Sequence, residues 1–115
     1  MSTQRYFISI DNLTKARGES NELSFQGGSP ESFAQMLQEA LRTPALFERW
    51  KHLQADPDEI DSALGVSDPS ATVTAKQSDL HTDVEVVTSL PHAILKHRLT
   101  LLIGRSWTLR DVSGA

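Results

Sequence analysis

A chain of 115 residues with a net charge of −4 has the size of one domain and gives no electrostatic footprint for nucleic acid. Hydrophobic residues at 38% and charged residues at 23% suit a globular chain rather than a disordered one. There is no cysteine, which excludes disulfides, thiolate metal sites and cysteine nucleophiles.

The opening residues, Met1 to Phe7, lack the long apolar run of a signal peptide, and no stretch of about eighteen apolar residues occurs anywhere. A cytoplasmic protein with no membrane span is the expectation. Arg5 to Ile10 alternates, with Tyr6, Ile8 and Ile10 on one side and Phe7 on the other, which is a strand pattern. Asp11 to Glu22 is polar and reads as a loop of roughly ten residues, long enough to be functional. Lys15 and Arg17 lie in it. Leu23-Ser24-Phe25 reads as a short second strand, antiparallel to the first and closed by Gly27-Gly28.

Ser29-Pro30-Glu31 is a helix start: an N-cap residue, proline where a missing N–H costs nothing, and an acid against the helix dipole. Phe33, Met36, Leu37, Ala40 and Leu41 then form one apolar stripe. Thr43-Pro44 ends or kinks this helix and starts another, with Ala45, Leu46, Phe47, Trp50 and Leu53 on its apolar side. The pair is expected to supply half of the core. Asp56-Pro57 opens a third, short helical unit that Gly65 closes.

From Ala71 the residues turn β-branched. Thr72 to Thr74 and Thr82 to Thr88 read as strands joined by a turn over Lys76 to Leu80. Ile94 to Ile103 alternates Leu95, His97, Leu99, Leu101 and Ile103 against Lys96, Arg98, Thr100 and Leu102. A helix over Ala93 to Leu102 competes, but the alternation and the Gly104-Arg105-Ser106 turn favour a strand, with Trp107 to Val112 completing a second hairpin. The expected fold is one α+β domain over residues 1–115, with 113–115 frayed. Its mostly antiparallel sheet has about five to six strands in the order β-β-α-α-(short α)-β-β-β-β, and the helical pair covers one face. Lys96, Arg98, Thr100, Thr108 and Arg110 would then lie on the solvated face, with Asp83 and Glu85 alongside.

Several constellations carry potential chemistry. His81, Asp83 and Glu85 fall on one side of a strand, and an imidazole with two carboxylates suits a divalent metal or a shared proton, the more so with His92 or His97 beside them. A solvated strand face explains the same three residues without a ligand. His97 sits in an apolar column, where a hydrogen-bonded core role or a partner-facing role outweighs catalysis. Asp56, Asp58, Glu59 and Asp61 lack the spacing of a calcium loop and are explained by capping. Gly27-Gly28-Ser29 lacks the rest of a phosphate-binding fingerprint, so no cofactor is implied. Pro44 to Leu53 is too apolar for a recognition helix, which again speaks against nucleic acid.

What remains is surplus apolar surface on the expected C-terminal hairpin. Leu95, Leu99, Leu101, Leu102, Ile103, Trp107 and Leu109 populate both its faces. A sheet covered on one side only would leave Leu102 and Trp107 or their neighbours exposed, unless the sheet rolls up to hide them. Leu99, Leu101, Ile103, Trp107 and Leu109 are the expected contact residues. The leading expectation is therefore a non-enzymatic protein-interaction or homodimerising module, binding a protein partner or itself through those five residues, with the Lys15–Arg17 loop beside them. The alternative is a small-ligand or metal-dependent enzyme on the His81/Asp83/Glu85 face.

Overall fold

The computed structural model describes residues 3–114. Strand β1 (Gln4–Ile10) leads through a single 3-10 turn at Leu13–Lys15 and a long irregular segment to helix α1 (Pro30–Arg42) and helix α2 (Ala45–His52). Two more 3-10 turns, Pro57–Glu59 and Ser62–Gly65, precede strands β2 (Thr72–Ser78) and β3 (His81–Thr88), helix α3 (His92–Ile103) and strand β4 (Thr108–Gly114). The sheet order is β2-β3-β1-β4 with every pair antiparallel. With α2 as an addition, this is the split β-α-β-β-α-β arrangement called ferredoxin-like, a topology that hosts many activities and specifies none.

The α+β class and the antiparallel sheet agree with the sequence, but the sheet has four strands rather than five to six. Two expected strands take other forms. Ile94–Ile103 belongs to α3, whose buried residues are Ile94, Leu95, Arg98, Leu99, Leu102 and Ile103, a helical stripe. Arg98 fills a core position in that stripe. A charge at that point breaks the apolar helical period and leaves alternate leucines imitating a strand. The second expected hairpin is therefore absent, and the last strand, running from Thr108 to Gly114 and not from Trp107, pairs with β1 instead.

Leu23-Ser24-Phe25 forms a turn that docks on the end of α3. The Phe25 backbone N–H donates to the Leu102 carbonyl at 2.9 Å, and the Ser24 hydroxyl donates to the same oxygen at 3.2 Å. These bonds satisfy a terminal helix carbonyl, a task as demanding as pairing in a sheet. The unit after Asp56 is two 3-10 turns rather than a helix, and Asp61, not Asp56, caps through its side chain. Ser113 and Gly114, expected to fray, pair with Arg5 and Gln4.

The start signals around the first helical pair hold. The Ser29 hydroxyl accepts from the Ser32 N–H at 3.1 Å, and Pro30 begins α1. Phe33, Leu37 and Leu41 from α1, Leu95, Leu99 and Leu102 from α3, and Tyr6, Ile8, Ile10, Val84 and Val86 from the sheet make one core. Full burial of each such side chain contributes roughly 2 kcal/mol. Met36 stays at the edge, 37% exposed. The Cα frame is 18 Å thick along its short axis, the depth of one helical layer on one sheet, so the opposite sheet face is uncovered.

Arg98 is fully buried and ties the two main helices together. The Ala40 carbonyl would ordinarily accept from the residue four places on, but that residue is Pro44, which has no N–H. The Arg98 guanidinium takes its place, donating to Ala40 at 2.7 Å and to the Leu64 and Val66 carbonyls at 2.7 and 2.9 Å. The next carbonyl, Leu41, accepts from the Asp68 N–H at 2.8 Å. Asp68 is buried, and its carboxylate accepts from the Thr88 hydroxyl and from the Ser89 and Ser70 N–H groups.

Candidate functional site

The uncovered sheet face holds the sequence-predicted metal residues. His81, Asp83 and Glu85 do share it, alternating with buried Thr82, Val84 and Val86. His81 Nε2 lies 3.1 Å from Asp83 Oδ1, whereas Glu85 turns to Arg5 at 3.7 Å. His92 stacks on Tyr6 at 6.1 Å, and His97 is on α3, beside Trp50 and Phe47. Among the described residues no group of three or more His, Asp or Glu side chains is placed to hold a metal ion. Thr108, Arg110, Asp83 and Glu85 belong to strands of the sheet, while Lys96, Arg98 and Thr100, expected there as well, are on α3.

The five expected interaction residues divide because α3 is a helix. Leu99 and Ile103 are wholly buried. Trp107 and Leu109 are half-buried against the core, and the Trp107 indole N–H donates to the Gly104 carbonyl at 3.1 Å. Leu101 is half-buried, on the side of α3 that faces a cleft of about 720 Å³.

Three pieces of chain build that cleft. The end of α2 supplies Trp50, Leu53 and Gln54; α3 supplies His97, Thr100 and Leu101; the segment after the first 3-10 turn supplies Arg17, Glu19 and Leu23. The segment is held by close backbone packing. A Cβ at Gly18 would collide with the Leu101 carbonyl oxygen, and Gly104, at φ +62°, lets the chain leave α3 where a Cβ would come within 2.9 Å of the Arg17 carbonyl. Arg17 clips the loop internally, donating to the Ala16 carbonyl at 2.8 Å, Gly27 at 3.2 Å and Leu13 at 3.3 Å, with its guanidinium 5.6 Å from the Phe25 ring centre. Arg49 of α2 donates to the Glu22 carbonyl and fixes the other end.

His97 forms the inner wall. Its ring meets Trp50 edge to face at 4.5 Å, and Nδ1 is buried without a hydrogen-bond partner. Burial pushes its pKa below the usual value, and the neighbouring Arg98 charge pushes the same way, so the imidazole is neutral at pH 7. At the rim Leu53 is 48% exposed, and Arg105 is exposed on the turn after α3. The concave surface joins four apolar side chains, Leu23, Trp50, Leu53 and Leu101, to polar and charged groups and to a histidine of shifted pKa, which makes it a candidate binding site.

Sequence reasoning named Leu101, Arg17 and His97 separately and did not join them to Trp50 and Leu53. The signal was Leu53, an apolar residue one place beyond the end of its helix with no core left to meet. No helix among the described residues is long and apolar enough to cross a membrane. No protein-family model, curated protein or solved structure matches this chain.

Proposed function

We propose that this chain is a non-enzymatic protein-interaction module whose contact surface is the cleft between α2 and α3. The occupant is a segment of a partner protein bearing a bulky apolar side chain beside acidic residues. The carrying observation is the grouping of Trp50, Leu53 and Leu101 at one concavity with Arg17 and Arg105 at its rim. Tryptophan and arginine are the residue types that dominate interface energetics. Two arginines against Glu19 make the rim locally positive in a chain of net charge −4, which selects an acidic flank.

A library of random peptides selected on the purified protein tests this. The selected sequences are expected to share an aromatic or leucine anchor next to Asp or Glu, and Leu53→Glu is expected to weaken them by about tenfold or more. Peptides that bind Leu53→Glu as well as wild type would refute the reading. Sedimentation of the protein alone covers the homodimer version: a dimer dissolved by Leu53→Glu would make the occupant a second copy.

A further inference from the structure

On the far side of Arg105 lies a second depression, of about 230 Å³ and different chemistry. It sits where β1 ends and β4 begins, walled by the 3-10 turn that carries Lys15 and by the Gly104–Trp107 turn. Lys15 and Arg105 bring two cations. The hydroxyls of Ser9, Ser106 and Thr108 and the side chain of Asn12 bring neutral polar groups. The Asn12 carbonyl oxygen already accepts from the Thr14 hydroxyl at 2.8 Å, which leaves its NH2 as the donor available to a ligand.

Ser9 adds a hydroxyl from β1 to the same depression. It stands opposite Thr108 in the sheet and is only 5% exposed, yet its hydroxyl takes part in no hydrogen bond among the described residues. Ser9 lines the depression, and its hydroxyl is not one of the fully buried polar atoms, so it is open to a ligand there. Trp107 adds an aromatic wall, its N–H already committed to Gly104. The Asp11 carboxylate also lines the depression and opposes an anion.

We infer that this depression binds a phosphate group, held by charge-assisted hydrogen bonds from Lys15 and Arg105 and by neutral hydrogen bonds from the Ser9 hydroxyl and Asn12 amide. The inference does not rest on the peptide-binding reading, since only Arg105 is common to the two surfaces. The phosphate group belongs either to free phosphate or to a small organic monoester whose body meets Trp107.

Backbone amide NMR titration with inorganic phosphate, with sodium chloride at matched ionic strength as control, tests the inference. The expected result is saturable shifts confined to residues 9, 12, 15 and 105–108, with a Kd on the order of 1 mM. Lys15→Ala and Ser9→Ala should each weaken it by about fivefold to tenfold, and Asp11→Asn should tighten it. Phenyl phosphate distinguishes the sources: tighter binding with a Trp107 indole shift assigns an organic monoester, and equal binding assigns free phosphate. Shifts that chloride reproduces, or that survive unchanged in both Lys15→Ala and Ser9→Ala, would overturn the site.

Discussion

His97 and Arg98 are neighbours on α3 with opposite circumstances. Arg98 turns into the protein, is fully buried, and donates three hydrogen bonds to carbonyls from two other parts of the chain. His97 turns the other way, half-buried against Trp50, with Nδ1 unpartnered. Each keeps one buried nitrogen without a partner, Arg98 Nε and His97 Nδ1, but only Arg98 also ties distant parts of the fold together. The difference separates an inward side of this helix, held by hydrogen bonds to three carbonyls, from a cleft side held by aromatic packing.

The largest effect belongs to the inward side. Arg98→Met should strand the Ala40, Leu64 and Val66 carbonyls and cost about 3 kcal/mol or more. That lowers Tm on the order of 10 °C, measurable by calorimetry. Arg98→Lys, which keeps a charge but not the planar fork, should recover only part of the loss. A loss under about 1 kcal/mol for Arg98→Met would erase the contrast with His97.

Asp68 extends the inward network, and Asp68→Asn is expected to cost about 1–2 kcal/mol at pH 7. Burial alone would raise the pKa of this carboxyl, but hydrogen bonds from the Ser89 and Ser70 N–H groups and the Thr88 hydroxyl outweigh it, and the net shift is below the usual 3.8. The carboxylate's contribution is therefore complete above that value and disappears as pH falls through the lower folded pKa. Denaturant melts at descending pH should show the wild-type advantage over Asp68→Asn shrinking below about pH 4. A constant gap would remove the carboxylate from the account.

The smallest effect is expected on the cleft side. His97→Gln should change stability by less than about 1 kcal/mol at pH 7. Because the folded pKa of His97 lies below the usual 6.5, the unfolded chain takes up its proton first. Wild-type stability should thus decline as pH falls from 6.5 toward the folded value, and His97→Gln should lack that component. A variant as damaged as Arg98→Met would make the two sides of α3 equally structural.

The same pair of residues explains what the sequence made legible. Ser29-Pro30, Thr43-Pro44 and the alternation of β1 and β3 are local signals, and the elements they mark are present. Helix α3 was hidden because its central core position holds Arg98, and the partners that make an arginine acceptable there lie 32 to 58 residues away. The turn at Leu23–Phe25 was hidden for the same reason, since its hydrogen bonds go to Leu102. The cleft joins residues from Arg17 to Arg105. No spacing rule connects these positions; only the order β2-β3-β1-β4 does.

Pro44 has a consequence for the order of assembly. By removing one N–H, it leaves the last turn of α1 dependent on a donor 58 residues later in the chain. The N-terminal end, closed by Ser29 within its own turn, needs no such wait. During refolding α1 should grow from its beginning and finish only when α3 arrives, since closing so long a loop is entropically costly. In stopped-flow experiments Ser29→Ala should then mainly slow folding, while Arg98→Lys should mainly accelerate unfolding. A missing backbone hydrogen thereby becomes a timing device, making completion of a local helix contingent on a global event.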